Sequence, residues 1–275
     1  MDSTRWDDIA LRDGDIVIST PSKCGTTWTQ MICALLIFQS TDFPRPLGAM
    51  SVWLESLLHR REEIVAELAA QRHRRFMKTH IPLDGLPYDK RVTYVCVGRD
   101  PRDTAISWDS HMANRKATGA KKTGGPPTES ARDRFWLWVD SSDDLNGLSG
   151  MLHHLSTFWQ MRDQPNVVLL HYQEMQDDLE GTMRRLAARL GIEVPEEKWP
   201  ELVGAASFDE MKNRADELAP EPGIWIDNNQ FFRRGTSGQW RELLDADDLR
   251  RYQDRVQKLA DPELVGWVHQ GKILP

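Results

Sequence analysis

Four short apolar runs, Ile16–Ser19, Phe76–Thr79, Thr93–Val97 and Val167–His171, alternate along the chain with longer stretches whose apolar positions recur at helical spacing. Strands that alternate with helices predict parallel pairing, because each return to the same end of a sheet needs a crossover. The first run leads to the helical stretch Thr29–Ile37. Arg60–His73 carries Ile64, Val65, Leu68 and Ala69 at helical spacing, and Leu179–Leu190 carries Met183, Leu186 and Ala187 before Gly191 ends it. Asp245–Leu259 opens on acidic residues, which suit the positive end of a helix, and sets Leu249, Tyr252 and Val256 on one face. The pattern predicts an α/β fold: one domain over residues 1–275, with a central, mainly parallel sheet flanked by helices. Residues 114–150 break the rhythm, because Lys121, Lys122, Gly124, Gly125, Pro126 and Pro127 lie in a polar run that later reaches Ser141–Asp144. That segment is expected to be a mobile loop or lid within the domain, with plain disorder as the equal alternative.

Composition narrows the function classes. The 275 residues are 40% hydrophobic and 28% charged, as in an ordinary soluble protein with a substantial core, and the net charge of -7 excludes a general nucleic-acid binder. Clusters of Lys and Arg therefore carry local meaning. Cys24, Cys33 and Cys96 are odd in number and lack metal-ligand spacing, so neither a disulfide framework nor a zinc site is expected. The polar, acidic start Met1–Asp8 has no basic head or apolar core of a secretion signal, and no run nears the roughly 20 apolar residues that cross a bilayer. A cytoplasmic protein is expected, with peripheral membrane contact left open. Of the eleven tryptophans, Trp53, Trp136, Trp138 and Trp225 are candidates to line an apolar substrate pocket, packing in the core being the commoner role.

The most specific chemistry lies in Ser19-Thr20-Pro21-Ser22-Lys23-Cys24-Gly25-Thr26-Thr27-Trp28, where the first strand turns into a helix. Such a turn aims backbone N–H groups and the positive helix end at an anion, and Lys23, Thr26 and Thr27 add a charge and hydroxyl donors. It is not the triphosphate loop Gly-x-x-x-x-Gly-Lys-Ser/Thr, since its lysine precedes its glycine. Lys78-Thr79-His80 ends the second strand, where open parallel sheets gather ligands, and an imidazole there can accept a proton near neutral pH. His153 and His154 are adjacent and cannot share a helix face, so they are expected to be structural or exposed. In Gly98-Arg99-Asp100-Pro101-Arg102-Asp103-Thr104-Ala105-Ile106-Ser107, Asp100 suits an N-cap, Pro101 the first helical position and Asp103 the positive first turn. Arg99 would ordinarily pair with one of these aspartates. Downstream, Phe232-Arg233-Arg234-Gly235 with Gly238-x-Trp240 makes a cationic loop in an acidic protein.

Together, from about Asp15 to about Trp240, these motifs resemble the cytosolic-type sulfotransferases, a family with a P-loop-kinase-like fold that uses 3'-phosphoadenosine 5'-phosphosulfate (PAPS) and releases 3'-phosphoadenosine 5'-phosphate (PAP). The resemblance implies that Lys23, Cys24, Gly25, Thr26, Thr27 and Trp28 form the phosphosulfate-binding loop. His80 would be the general base, Lys23 would stabilise the leaving phosphate and Lys78 would assist near the transferring group. Arg99 and Ser107, with Arg233, Arg234 and the backbone of Gly235, would bind the 3'-phosphate, for which a guanidinium fork is suited, and Phe232 would be a further cofactor-binding residue. Tyr172 and the Ser207-Phe208 segment would lie near the adenine, with Phe208 and Trp28 sandwiching the base. Cys24, Ser22 and Ala206 stand where the family commonly has serine, proline and a hydroxyl residue; Cys24 keeps its backbone N–H. Residues 241–250 lack the family's common dimer pattern.

The expected reaction is transfer of the sulfuryl group to a hydroxyl of a small-molecule or lipid acceptor such as a glycolipid, with no metal, by positioning and electrostatics. Two other functions remain open at this level: a P-loop nucleotide kinase, and a PAP- or nucleotide-binding protein without chemistry. The donor motifs leave the acceptor undetermined, because acceptor pockets are shaped by loops.

Overall fold

The four apolar runs form strands β1 (Ile16–Ser19), β2 (Phe76–Thr79), β3 (Thr93–Gly98) and β4 (Val167–His171), all parallel, in the order β2-β1-β3-β4. The computed structural model describes residues 2–116, 130–143, 145–220 and 223–271. Its helices are α1 (Thr26–Phe38), α2 (Leu47–Met50), α3 (Arg61–Ala70), α4 (Pro101–Ala113), α5 (Ala131–Asp140), α6 (Leu148–Trp159) and α7 (Tyr172–Asp177). They continue with α8 (Leu179–Leu190), α9 (Trp199–Ala205), α10 (Phe208–Asn213), α11 (Ala215–Leu218), α12 (Ala246–Val256) and α13 (Pro262–Gln270).

Alternation along each strand divides the core between the two faces of the sheet. Val17, Tyr94 and Cys96 pack with Leu152, Leu155 and Phe158 of α6, whereas Ile16, Ile18, Val95 and Val97 pack with Ile32 and Leu35 of α1 and Leu186 of α8. Helices on both faces are what a fully buried parallel sheet requires. From β1 the chain passes to β2 on one side and then returns beyond β1 to β3, so the loops leaving β1 and β3 diverge. Crevices of this kind, at the carboxyl ends of the strands, are where such sheets hold ligands. Ser19 pairs with Thr79 and Gly98 with His171, which brings the segments that begin at Thr20, His80, Arg99 and Tyr172 to that end.

The expectation of one mobile excursion over residues 114–150 needs correction. A capping box between Ser130 and Asp133 starts α5, and Phe135, Trp136, Trp138 and Val139 are buried; Leu148, Gly150 and Met151 belong to α6 and are buried too. The apolar stripe of Phe135, Trp136 and Val139 outweighs the polar neighbours once it has a core to face. Residues 117–129 and Asp144 lie outside the described residues.

Candidate active site

After β1 the chain turns sharply: Lys23 has φ 69° and Gly25 φ 95° before α1 begins at Thr26. A left-handed backbone is uncommon for a residue with a side chain, and here the Arg99 guanidinium braces it by donating to the Lys23 carbonyl at 2.8 Å. The hydroxyls of Thr20 and Thr26 share a hydrogen bond of 2.5 Å across the turn, and Thr29 N–H closes on the Gly25 carbonyl at 2.9 Å. Gly25 provides no side-chain cap, so the first-turn N–H groups of α1 remain available to an anion.

Around this turn opens a cavity of about 330 Å³ whose lining includes Lys23, Lys78, Arg99, Arg233 and Arg234. Three of these cations lie over aromatic rings. Lys23 lies 4.7 Å from the Phe231 ring centre, Lys78 4.4 Å from that of Trp53, and Arg99 4.1 Å from that of Tyr172. Burial, then the charges of Arg99 and Lys78, pull Lys23 down to about 7. Arg99 does not take the neighbouring aspartate: Arg102 pairs with Asp100 at 2.7 Å, and the buried Nε of Arg99 has no hydrogen-bond partner. So many crowded cations, one with an orphaned donor, fit a multiply charged anion.

His80 stands at the tip of β2. Its Nδ1 is 2.7 Å from the Thr20 carbonyl, which can only accept, so Nδ1 carries the hydrogen and Nε2 carries the lone pair. Burial and then the Lys78 charge push its pKa down to about 3, which keeps the ring neutral. The turn that holds it is locked from below. Ser19 Oγ donates to the Ile81 carbonyl at 2.6 Å and meets His154 Nε2 at 3.0 Å; Thr79 Oγ1 accepts from Ile81 N–H at 3.0 Å and donates to the buried Glu55. His154 is thus structural, while its neighbour His153 is exposed beside Asp84.

The arginine-glycine loop closes the other side of the cavity. Asp103, expected only to favour the first turn of α4, is 2% exposed and accepts from Gly238 N–H at 2.7 Å and Gln239 N–H at 3.0 Å. Gln176 on α7 donates to the Gly235 carbonyl and accepts from Ser237 Oγ at 2.7 Å, and Arg233 donates to Gln239 Oε1 at 2.5 Å. Gly235 has φ 62°, and a Cβ there would collide with the Phe208 ring. Trp28, Tyr172 and Phe208 line the adjoining wall; Trp28 meets Tyr172 edge-on at 5.4 Å and donates to the Ala206 carbonyl at 2.8 Å.

Among the sequence-predicted residues, Lys23, Gly25, Thr26, Thr27, Trp28, Lys78, His80, Arg99, Ser107, Tyr172, Phe208, Phe232, Arg233, Arg234 and Gly235 all line this cavity. Two stand apart from its lining. The Cys24 thiol is buried against Thr104 at 3.8 Å and its N–H is taken by the Pro21 carbonyl at 3.3 Å, while Ser207 caps α10 through Glu210 N–H at 3.3 Å. Ser207 thereby serves a helix-end N–H, a local need that competes with ligand contact.

The cavity lining also includes the aromatic residues Trp53, Trp108, Trp225 and Phe231, with Ile224. A strap carries Ile224 and Trp225 against the end of α4, where Lys116 N–H bonds the Ile224 carbonyl and Ile226 N–H the Asn114 carbonyl, both at 2.8 Å. Trp136 and Trp138 belong to the core instead. Asp103 as a loop clamp, Gln176, His111 beside Lys23 and the strap were missed by sequence reasoning. For His111, the position eleven residues into a helix begun by Pro101 was the one available signal.

A family model described as Sulfotransferase domain matches residues 13–263. Proteins named glycolipid sulfotransferase from Mycobacterium bovis and Mycobacterium tuberculosis are each 41% identical over 98% of this chain and 92% of their own length. Retinol dehydratase in a complex with retinol and PAP has a similar fold, with TM-score 0.75 and 22% identity over 93% of this chain and 83% of that one. With a family match over nearly the whole chain and a cation-lined cleft at the strand ends, this chain belongs to the sulfotransferase domain family.

Proposed function

We propose that this sulfotransferase moves the sulfuryl group of PAPS to a hydroxyl of a glycolipid, with His80 as the general base. The donor reading is supported by the cluster of Lys23, Lys78, Arg99, Arg233 and Arg234 around one cavity, and by the PAP complex of a protein with the same fold. The acceptor reading is supported by the names of the mycobacterial relatives and by the aromatic residues in the cavity lining, because indole faces pack well against the C–H faces of sugars and against lipid chains. The single observation that carries the mechanism is the 2.7 Å contact from His80 Nδ1 to the Thr20 carbonyl, which leaves Nε2 with the lone pair a general base needs.

In this mechanism His80 Nε2 takes the acceptor hydroxyl proton as the new oxygen–sulfur bond forms. Lys23 offsets the charge that grows on the phosphate oxygen as the old bond breaks, and Lys78 with the α1 N–H groups holds the sulfuryl oxygens. Arg99, Ser107, Arg233 and Arg234 hold the 3'-phosphate. Burial and then the Lys78 charge depress His80, and an anionic substrate offsets the second of these causes.

Purified protein with sulfur-labelled PAPS and a glycolipid extract should yield labelled lipid. His80→Ala should lower turnover by about 10²–10⁴-fold while PAP affinity holds. Near-normal turnover in that variant rejects His80 as the base, and magnesium-dependent phosphate transfer from ATP in place of sulfuryl transfer rejects the donor.

A further inference from the structure

Lys23 does not reach into the cavity alone. Its Nζ stands 3.1 Å from Nδ1 of His111 on α4. When Lys23 is an ammonium it has only protons to give, so in that state Nδ1 is the lone-pair side of the ring and Nε2 the protonated side. The imidazole is held by its neighbours: Trp108 stacks on it at 5.7 Å and 23°, and Trp225 and Phe231 lie 4.8 Å and 6.2 Å away. This is a neutral acceptor built into an aromatic wall, pointed at a cation that the charges of Arg99, Lys78 and Arg233 repel.

The geometry points to His111 as a positioning residue: its Nδ1 anchors the Lys23 ammonium beside the loop turn, leaving the other two ammonium protons for the phosphate oxygen of the donor. Without that anchor, Arg99, Lys78 and Arg233 repel Lys23, and its flexible four-carbon stem has no directional partner to hold it. Burial, followed by the charges of Lys23, Arg115 and Lys78 and the proximity of His80, pushes His111 down to about 2, so the ring remains an acceptor across the working pH range. The inference rests on the PAPS reading above and adds to it a residue that does not itself touch the reacting atoms.

The test is a double-mutant cycle on PAP affinity, measured by calorimetry and therefore independent of the acceptor. His111→Ala should weaken PAP binding by about tenfold in the wild-type background, the scale of one hydrogen bond to a charged group, and by nothing measurable in the Lys23→Ala background. His111→Asn, whose Oδ1 can accept where Nδ1 does, should stay within about threefold of wild type, whereas His111→Gln, which reproduces the Nε2 side, should resemble His111→Ala. Adenosine 3'-phosphate, lacking the 5'-phosphate, should bind all four histidine-site proteins alike. Equal losses in both Lys23 backgrounds overturn the inference, as does rescue by Gln as good as rescue by Asn. Should the wild-type protein bind no PAP, the donor reading falls and takes this inference with it; additive losses with intact wild-type binding remove the inference alone.

Discussion

Removal of the Asp103 carboxylate should undock the arginine-glycine loop and weaken donor binding without slowing the chemical step. The carboxylate is buried and bonds two consecutive amides, Gly238 and Gln239, at 2.7 and 3.0 Å. Hydrogen bonds to a charged group contribute about 1.5–3 kcal/mol each, but both amides regain water when the loop opens, so about 2–3 kcal/mol of docking energy is at stake. At about 1.36 kcal/mol per decade, that shifts the docked-to-open ratio by roughly 30- to 150-fold. The two contacts of Gln176 on α7 with Gly235 and Ser237 remain in place, so part of the docked population survives. For Asp103→Ala the expected result is a rise of about tenfold in the Kd for PAP, with kcat at saturating PAPS within about twofold of wild type, since His80, Lys23 and Lys78 are untouched. Adenosine 5'-phosphosulfate, which lacks the 3'-phosphate, should show little change in affinity. Calorimetry gives the first quantity and initial rates the second. A variant with lowered kcat and an unchanged Kd would refute the clamp.

Three further outcomes follow from the same geometry. Lys23→Met should raise the melting temperature of the ligand-free protein, because it removes a buried cation from among Arg99, Lys78 and Arg233, while transfer stops; a lower melting temperature contradicts the electrostatic argument. Burial lowers the pKa of His171 to about 4, of His80 and His154 to about 3 and of His111 to about 2, so below the ordinary value of 6.5 the unfolded chain binds protons that the folded one does not. Their contribution to stability is complete above pH 6.5 and is lost as pH falls from there to about 4 for His171, about 3 for His80 and His154 and about 2 for His111, which urea titrations at pH 7 and pH 5 will register as a lower midpoint at pH 5; equal midpoints exclude it. Gly235→Ala places a Cβ at φ 62° against the Phe208 ring, and should weaken PAP binding by at least about tenfold, a strain on the order of 1–2 kcal/mol from the backbone alone; wild-type affinity speaks against that tight contact.

Local signals carried much of the fold. β1, β2 and β4 begin and end where apolar runs in the sequence do, and α8 spans the predicted Leu179–Leu190 because Asp178 caps one end and Gly191, at φ 64°, closes the other. The exception is instructive. In the 114–150 segment, glycine, proline and lysine dominate a window that also contains the core-facing stripe of α5, and only the packed core reveals that the stripe is buried.

The same division runs through the site. Sequence by itself determined the parallel α/β plan, the strand ends at which chemistry collects, and most of the residues that line the cavity there, since periodicity, caps and a strand–turn–helix loop are encoded within a few consecutive positions. Tertiary structure decided which groups those residues meet. Lys23 finds His111 across 88 positions, Asp103 finds Gly238 across 135, and Cys24 and Ser207 turn to backbone partners. It also decided the tautomer of His80, through a carbonyl 60 residues away. The physical reason is that a hydrogen-bond partner is chosen by distance and direction in space, and no spacing along the chain specifies either until the sheet has brought its strand ends together.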